Sequence, residues 1–202
     1  MSMTNLMLRF TAVGAEWVLW LLAALSLLSI ALIIERALYF RARAVDIDEF
    51  ADKLAVALRA GNLEQARQVA HGARSIECVV LSAGLNEVPR GLHAVSETLQ
   101  SSKARERLKL EAYLPILGTL GSNAPFIGLF GTVIGIIQAS TQLAQAPATK
   151  HAASTAVMSS VFEALVATAV GLFVAIPAVV AFNLFQRKAR SALLRVDVLA
   201  HL

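Results

Sequence analysis

One carboxylate stands apart in this chain of 202 residues. Glu163 is the ionisable side chain placed well inside a long uncharged run, whereas Lys150 and His151 lie at an edge. A carboxylate carried into a bilayer costs a few kcal/mol even on insertion scales, and such residues face a bundle interior or a wet cavity. A carboxyl so placed is a candidate to take up and release protons. The bland alternative is a permanently neutral carboxyl that bonds a neighbouring helix. Two hydroxyls extend the pattern. Counted inward from the link 144–151, Thr132 and Glu163 each lie 12 residues away. That is about 18 Å of helix, a matching depth near the middle of a hydrocarbon core of about 30 Å. Thr168 lies five residues beyond Glu163. Hydroxyls both donate and accept, so this row could hold waters along an ion path. Each threonine could equally bond a carbonyl of its own helix.

Other chemistry finds no residues to carry it. There is no glycine-rich phosphate loop before a Lys-Ser/Thr, no histidine pair at metal spacing and no nucleophile–base pair. Neither catalysis, a cofactor nor a metal is expected. His71, His93, His151 and His201 are scattered and read as surface or structural. Cys78 is the single cysteine, which excludes an internal disulfide and reads as a small buried apolar residue.

The elements that must position these groups follow from the distribution of charge. Hydrophobic residues make up 57% of the chain and charged ones 16%, against about a quarter charged in ordinary soluble domains. Residues 35–111 hold 23 of the charges, and the other 125 positions hold 9. This split excludes disorder, a coiled-coil rod and a single soluble globule. The net charge of +4 gathers at the edges of apolar runs, which argues membrane topology rather than nucleic-acid binding.

Three runs are long enough to span, since about 20 apolar residues cross the core. They are 17–34, 112–143 and 152–186. The last two exceed what a span needs and are expected to project beyond the bilayer. Arg36, Arg41 and Arg43 follow the first run, and Gln186-Arg187-Lys188-Ala189-Arg190 closes the third. The positive-inside rule then puts 1–16 in the periplasm, 35–111 in the cytoplasm, 144–151 in a short periplasmic loop and 187–202 in a cytoplasmic tail. The first run is too long for a signal-peptide core and lacks a small-x-small cleavage site. Trp17 and Trp20 fit an outer aromatic anchor, Tyr39 and Phe40 an inner one. The expected fold is an all-α integral protein of the bacterial inner membrane, with three transmembrane helices and long helical cytoplasmic extensions.

Within the charged region, Asp46 opens an amphipathic helix that stops at Gly61, Asn62 caps a second, and Ser75 starts a third through Leu85. From Leu92 the pattern reads as one long helix to 143. Small residues line the second and third spans at three- and four-residue steps, among them Gly128, Gly131 and Gly135, then Ala167 and Gly171. Such rows let helices approach closely in lipid. Pro125 and Pro177 are expected to kink these helices and free carbonyls.

At these residues the chain resembles a known family. The stretch 117–137, LGTLGSNAPFIGLFGTVIGII, looks like the second-span signature of the MotA/TolQ/ExbB proton-channel family. The stretch 163–183, EALVATAVGLFVAIPAVVAFN, looks like the third-span signature of its ExbB/TolQ branch. The resemblance implies a motor subunit: a homopentameric ring around the single-span helices of a dimeric ExbD/TolR-like partner that supplies an aspartate. Proton flow through the ring would drive a TonB- or TolA-like protein acting on the outer membrane. Carried over residue by residue, Glu163 matches the family's third-span glutamate, and Thr132 and Thr168 its pore-facing threonines. One departure is local: the family usually has glycine three positions before that glutamate, and here Ser160 stands there.

Two alternatives compete with a proton-conducting ring for an ExbB/TolQ-like system. One is a specialised gliding-type motor of the same branch. The other is a passive membrane scaffold in which Glu163 only bonds a partner helix. A small solute carrier is disfavoured, because no inverted repeat or matched pair of broken helices appears.

Overall fold

The computed structural model describes residues 16–44, 46–72, 75–145 and 150–201. The N-terminal segment 1–15, residues 146–149 of the link and Leu202 lie outside the described residues. All regular structure among the described residues is helical. The helices are α1 (Glu16–Ala42), α2 (Ile47–Arg59), α3 (Leu63–His71), α4 (Ile76–Asn86), a short 3-10 turn (Val88–Arg90), α5 (Leu92–Glu111), α6 (Leu114–Gln145) and α7 (Lys150–Ala200). Three helical stretches are long and apolar enough to cross a membrane: Glu16–Arg59, Leu92–Ala144 and Val157–Ala200. The chain divides into two compact units, Met1–Ile33 with Ile116–Phe182 and Ile34–Pro115 with Asn183–Leu202.

In the first unit, small residues set how α6 and α7 meet. A Cβ built on Gly128 would lie 2.7 Å from the Ala167 carbonyl oxygen, and one on Gly171 would lie 2.7 Å from the Ala124 carbonyl oxygen. Gly135 sits as tightly on Ala164 and the Ser160 carbonyl, and Gly121 on Val179. Residue numbers rise on one helix as they fall on the other, so the pair is antiparallel. Val18 and Leu22 of α1 complete a core with Ala124, Ile134, Val174 and Ala175, and Trp17 meets the Phe130 ring edge-on at 6.2 Å. Both prolines are accommodated inside continuous helices. Each lacks an N–H, so the carbonyls of Gly121 and Phe173 receive no i+4 amide donor.

In the second unit, caps define the short helices. Asp46 accepts from the amides of Asp48 and Glu49, Asn62 from Gln65, and Ser75 from Cys78. Each satisfies amides that a first helical turn leaves free. Gly61, with φ 69°, makes the turn between α2 and α3 in a conformation that L side chains resist. Phe50, Leu54, Ala57, Ala66, Cys78 and Leu81 form one apolar cluster, and Leu199 from the C-terminal segment closes it. Ile76, Val80, Leu110, Ala189, Ala192 and Val196 form another.

One expectation needs correction here. The helix expected over 92–143 is broken: α5 ends at Glu111, Ala112 turns extended with ψ 136°, and Tyr113 adopts φ 63° before α6 begins. Pro115 supplies the reason, because its ring would clash with the Glu111 carbonyl in a continuous helix, while near the start of a new one its missing N–H is not needed. The two aromatics expected at the inner end of the first run are half-buried. Phe40 stacks on Phe185 at 5.5 Å, and Tyr39 lies between the guanidinium groups of Arg36 and Arg43 at 4.5 and 4.3 Å.

Candidate ion-path site

The site is built on α7 where it lies against α6. A helix passing through an apolar environment must satisfy its backbone internally, so only side-chain atoms are free to act. Oε1 of Glu163 is buried and has no hydrogen-bond partner. The same holds for Oγ1 of Thr168, five residues along the same helix. Buried polar atoms are usually paired, and an orphaned one costs about 1–3 kcal/mol. Two such atoms in the stretch 163–168 leave hydrogen-bonding capacity unused within five residues of one helix.

Thr132 behaves differently. Its hydroxyl donates to the Leu129 carbonyl oxygen at 2.6 Å, within its own helix. Its level along the helix pair follows from the neighbouring glycines. Gly128 lies on Ala167, Thr168 and Gly171, and Gly135 lies on Ser160 and Ala164. Thr132, between those glycines, therefore faces the stretch of α7 between Glu163 and Thr168, within about one helical turn of each. Interdigitating small residues fix this register, and Gly131 also packs on Val18 of α1. All five small residues expected to pack, Gly128, Gly131, Gly135, Ala167 and Gly171, lie in these close contacts.

Two polar groups in this unit escape a reading of sequence alone. Ser29 of α1 is buried with its hydroxyl unpartnered. Gln142 of α6 accepts a hydrogen bond from the Ser160 hydroxyl at 3.1 Å, across the helix pair. Their signal in the sequence is a polar side chain inside an uncharged run, where an unpaired amide or hydroxyl is costly.

Among the described residues, Glu163 Oε1 and Thr168 Oγ1 are thus left open to a partner from outside the chain. Comparison with known proteins gives the context. Residues 73–197 match the MotA/TolQ/ExbB proton channel family. The chain is 40% identical over 139 residues to the biopolymer transport protein ExbB of Xanthomonas campestris pv. campestris, covering 69% of this chain and 53% of that one. It is 46% identical over 103 residues to the Tol-Pal system protein TolQ of Pseudomonas aeruginosa, covering 51% and 42%. The ExbB of Neisseria gonorrhoeae is 42% identical over 103 residues, covering 51% and 46%. The chain thus spans about half the length of these curated relatives. With most of its length matched, it belongs to the MotA/TolQ/ExbB proton channel family, in the ExbB/TolQ branch.

Proposed function

We propose that this chain is the ring-forming subunit of a proton-driven motor in the bacterial inner membrane. In this reading a homopentamer encircles the single-span helices of a dimeric ExbD/TolR-like partner. Protons pass by way of Glu163, Thr168 and Thr132, and force reaches a TonB- or TolA-like protein that works on outer-membrane transport or envelope maintenance. The N-terminus is periplasmic, and residues 35–111 and 187–202 are cytoplasmic. Family membership supports the class of activity. The observation that carries the assignment to Glu163 is its buried, unpartnered Oε1. A carboxyl used only as glue within the chain would spend that oxygen on a neighbouring helix. Here the oxygen is left for water or for a group brought by another subunit. A single carboxyl with few oxygens around it makes a poor cage for Na⁺, which favours H⁺. The driving force is adequate in scale, since one charge crossing 100 mV releases about 2.3 kcal/mol.

The test is Glu163→Gln in the full chain, expressed in its native host and read as proton flux in membrane vesicles. Gln keeps hydrogen bonding and removes the exchangeable acid. Flux is expected to vanish with chain abundance unchanged. Full flux in the Gln variant would overturn proton cycling at this position and leave the scaffold.

A further inference from the structure

We infer that the Ser160–Gln142 hydrogen bond is a positioning device for Glu163, pinning the turn of α7 that carries the carboxylate to the end of α6. The two side chains meet at 3.1 Å across the helix pair, and Ser160 is 6% exposed. Three residues separate Ser160 from Glu163, so both lie on one helical turn. That turn is held at a second point, because Gly135 of α6 abuts the Ser160 carbonyl and the Ala164 side chain. A Cβ on Gly135 would lie 3.0 Å from the former and 2.6 Å from the latter.

The two contacts do different things. The Gly135 contact is non-directional and sets how close the helices lie. A hydrogen bond has a preferred angle as well as a distance, so Ser160–Gln142 also resists rotation of α7 about its axis. Rotation is what would re-aim Glu163. Its Oε1 makes no hydrogen bond of its own, so the frame of the turn does the aiming. Ser160 is buried and Gln142 half-buried, and in an apolar setting an unpaired hydroxyl or amide is costly, which keeps the two joined. A small residue lacking a hydroxyl would remove the tie to Gln142 and keep the Gly135 contact. The importance of this tie to proton movement rests on the motor reading above; the tie itself does not.

Two measurements separate these levels. In full chain reconstituted into lipid vesicles, the infrared band of the protonated Glu163 carboxyl is assigned by its loss in Glu163→Gln. Ser160→Ala and Gln142→Leu are each expected to displace or split that band. The double variant should match the singles, because both remove one shared bond. In vesicles from the native host, each single variant should lower proton flux about threefold to tenfold, the scale of one lost hydrogen bond, with abundance unchanged. An unchanged band in both singles, or effects that add in the double variant, would overturn the inference, even if stability fell. Retained flux in Glu163→Gln would sink the motor reading, while the band comparison would still decide the tie.

Discussion

Gly128 of α6 and Gly171 of α7 meet backbone to backbone: a Cβ on Gly171 would lie 3.1 Å from the Gly128 Cα, and one on Gly128 would lie 3.3 Å from the Gly171 Cα. The neighbours nearest these built atoms are carbonyl oxygens, which cannot rotate away as a side-chain tip can. Overpacking of this kind costs about 1–3 kcal/mol, more than the roughly 0.5–1 kcal/mol that alanine gains over glycine in a helix. Gly128→Ala and Gly171→Ala should therefore each destabilise the chain. Gly118→Ala meets only the Phe182 ring, at 3.3–3.5 Å, and should stay within about 0.5 kcal/mol of wild type. Unfolding in detergent by heat or denaturant ranks the three. Equal stabilities would contradict the close approach.

The two threonines should separate functionally. Thr132 has spent its hydroxyl on Leu129, whereas the Thr168 hydroxyl is unpartnered in the chain. Thr168→Val should lower proton flux by the scale of one lost hydrogen bond to water or a partner, about threefold to tenfold. Thr132→Val removes a bond within its own helix and should cost less. Flux assays in the same vesicles decide it, and equal losses would reject the distinction.

Arg36 is 3% exposed, and it is held by Glu35, the Lys109 carbonyl at 3.0 Å and the rings of Tyr39 and Tyr113 at 4.5 and 5.1 Å. Tyr113 itself stands at φ 63° between α5 and α6. Arg36→Ala should cost about 2 kcal/mol through the lost ring contacts and the unpaired carbonyl. At position 113, valine should be worse than glycine, because a β-branched side chain resists positive φ by about 1–2 kcal/mol. Thermal unfolding that placed Tyr113→Val above Tyr113→Gly would show that apolar burial, not backbone conformation, governs this break.

Ser75 tests the caps of the second unit. Its hydroxyl accepts from the Cys78 amide at 3.2 Å in a buried setting. Ser75→Ala should cost about 1 kcal/mol, and Ser75→Thr should recover most of it. Denaturant midpoints at a constant slope measure both. An unaltered midpoint in Ser75→Ala would mean that the amide finds another acceptor.

Features that depend on near neighbours were legible in the sequence. Asp46, Asn62 and Ser75 cap the helices they precede, because a cap needs only an acceptor placed two or three residues ahead of a free amide. Glu163 was legible as a lone carboxylate in an apolar run, and the small-residue rows were legible as close-packing faces. The register between those faces was not, since a repeat of three and four residues permits several alignments one turn apart. The break at Tyr113 runs against the continuous pattern over 92–143: Pro115 bars an unbroken helix, and the backbone turns at Ala112 and Tyr113.

By itself, then, the sequence determined which segments are helical and apolar and which residue among them is chemically out of place, because composition and short-range spacing carry that information directly. Tertiary structure decided that α6 and α7 interlock at Gly128 and Gly171, that Ser160 finds Gln142, and that residues 183–202 pack with 34–115. Those outcomes depend on contacts between residues far apart in the chain. They are settled by which small side chains interdigitate, a matter of shape that no local pattern encodes.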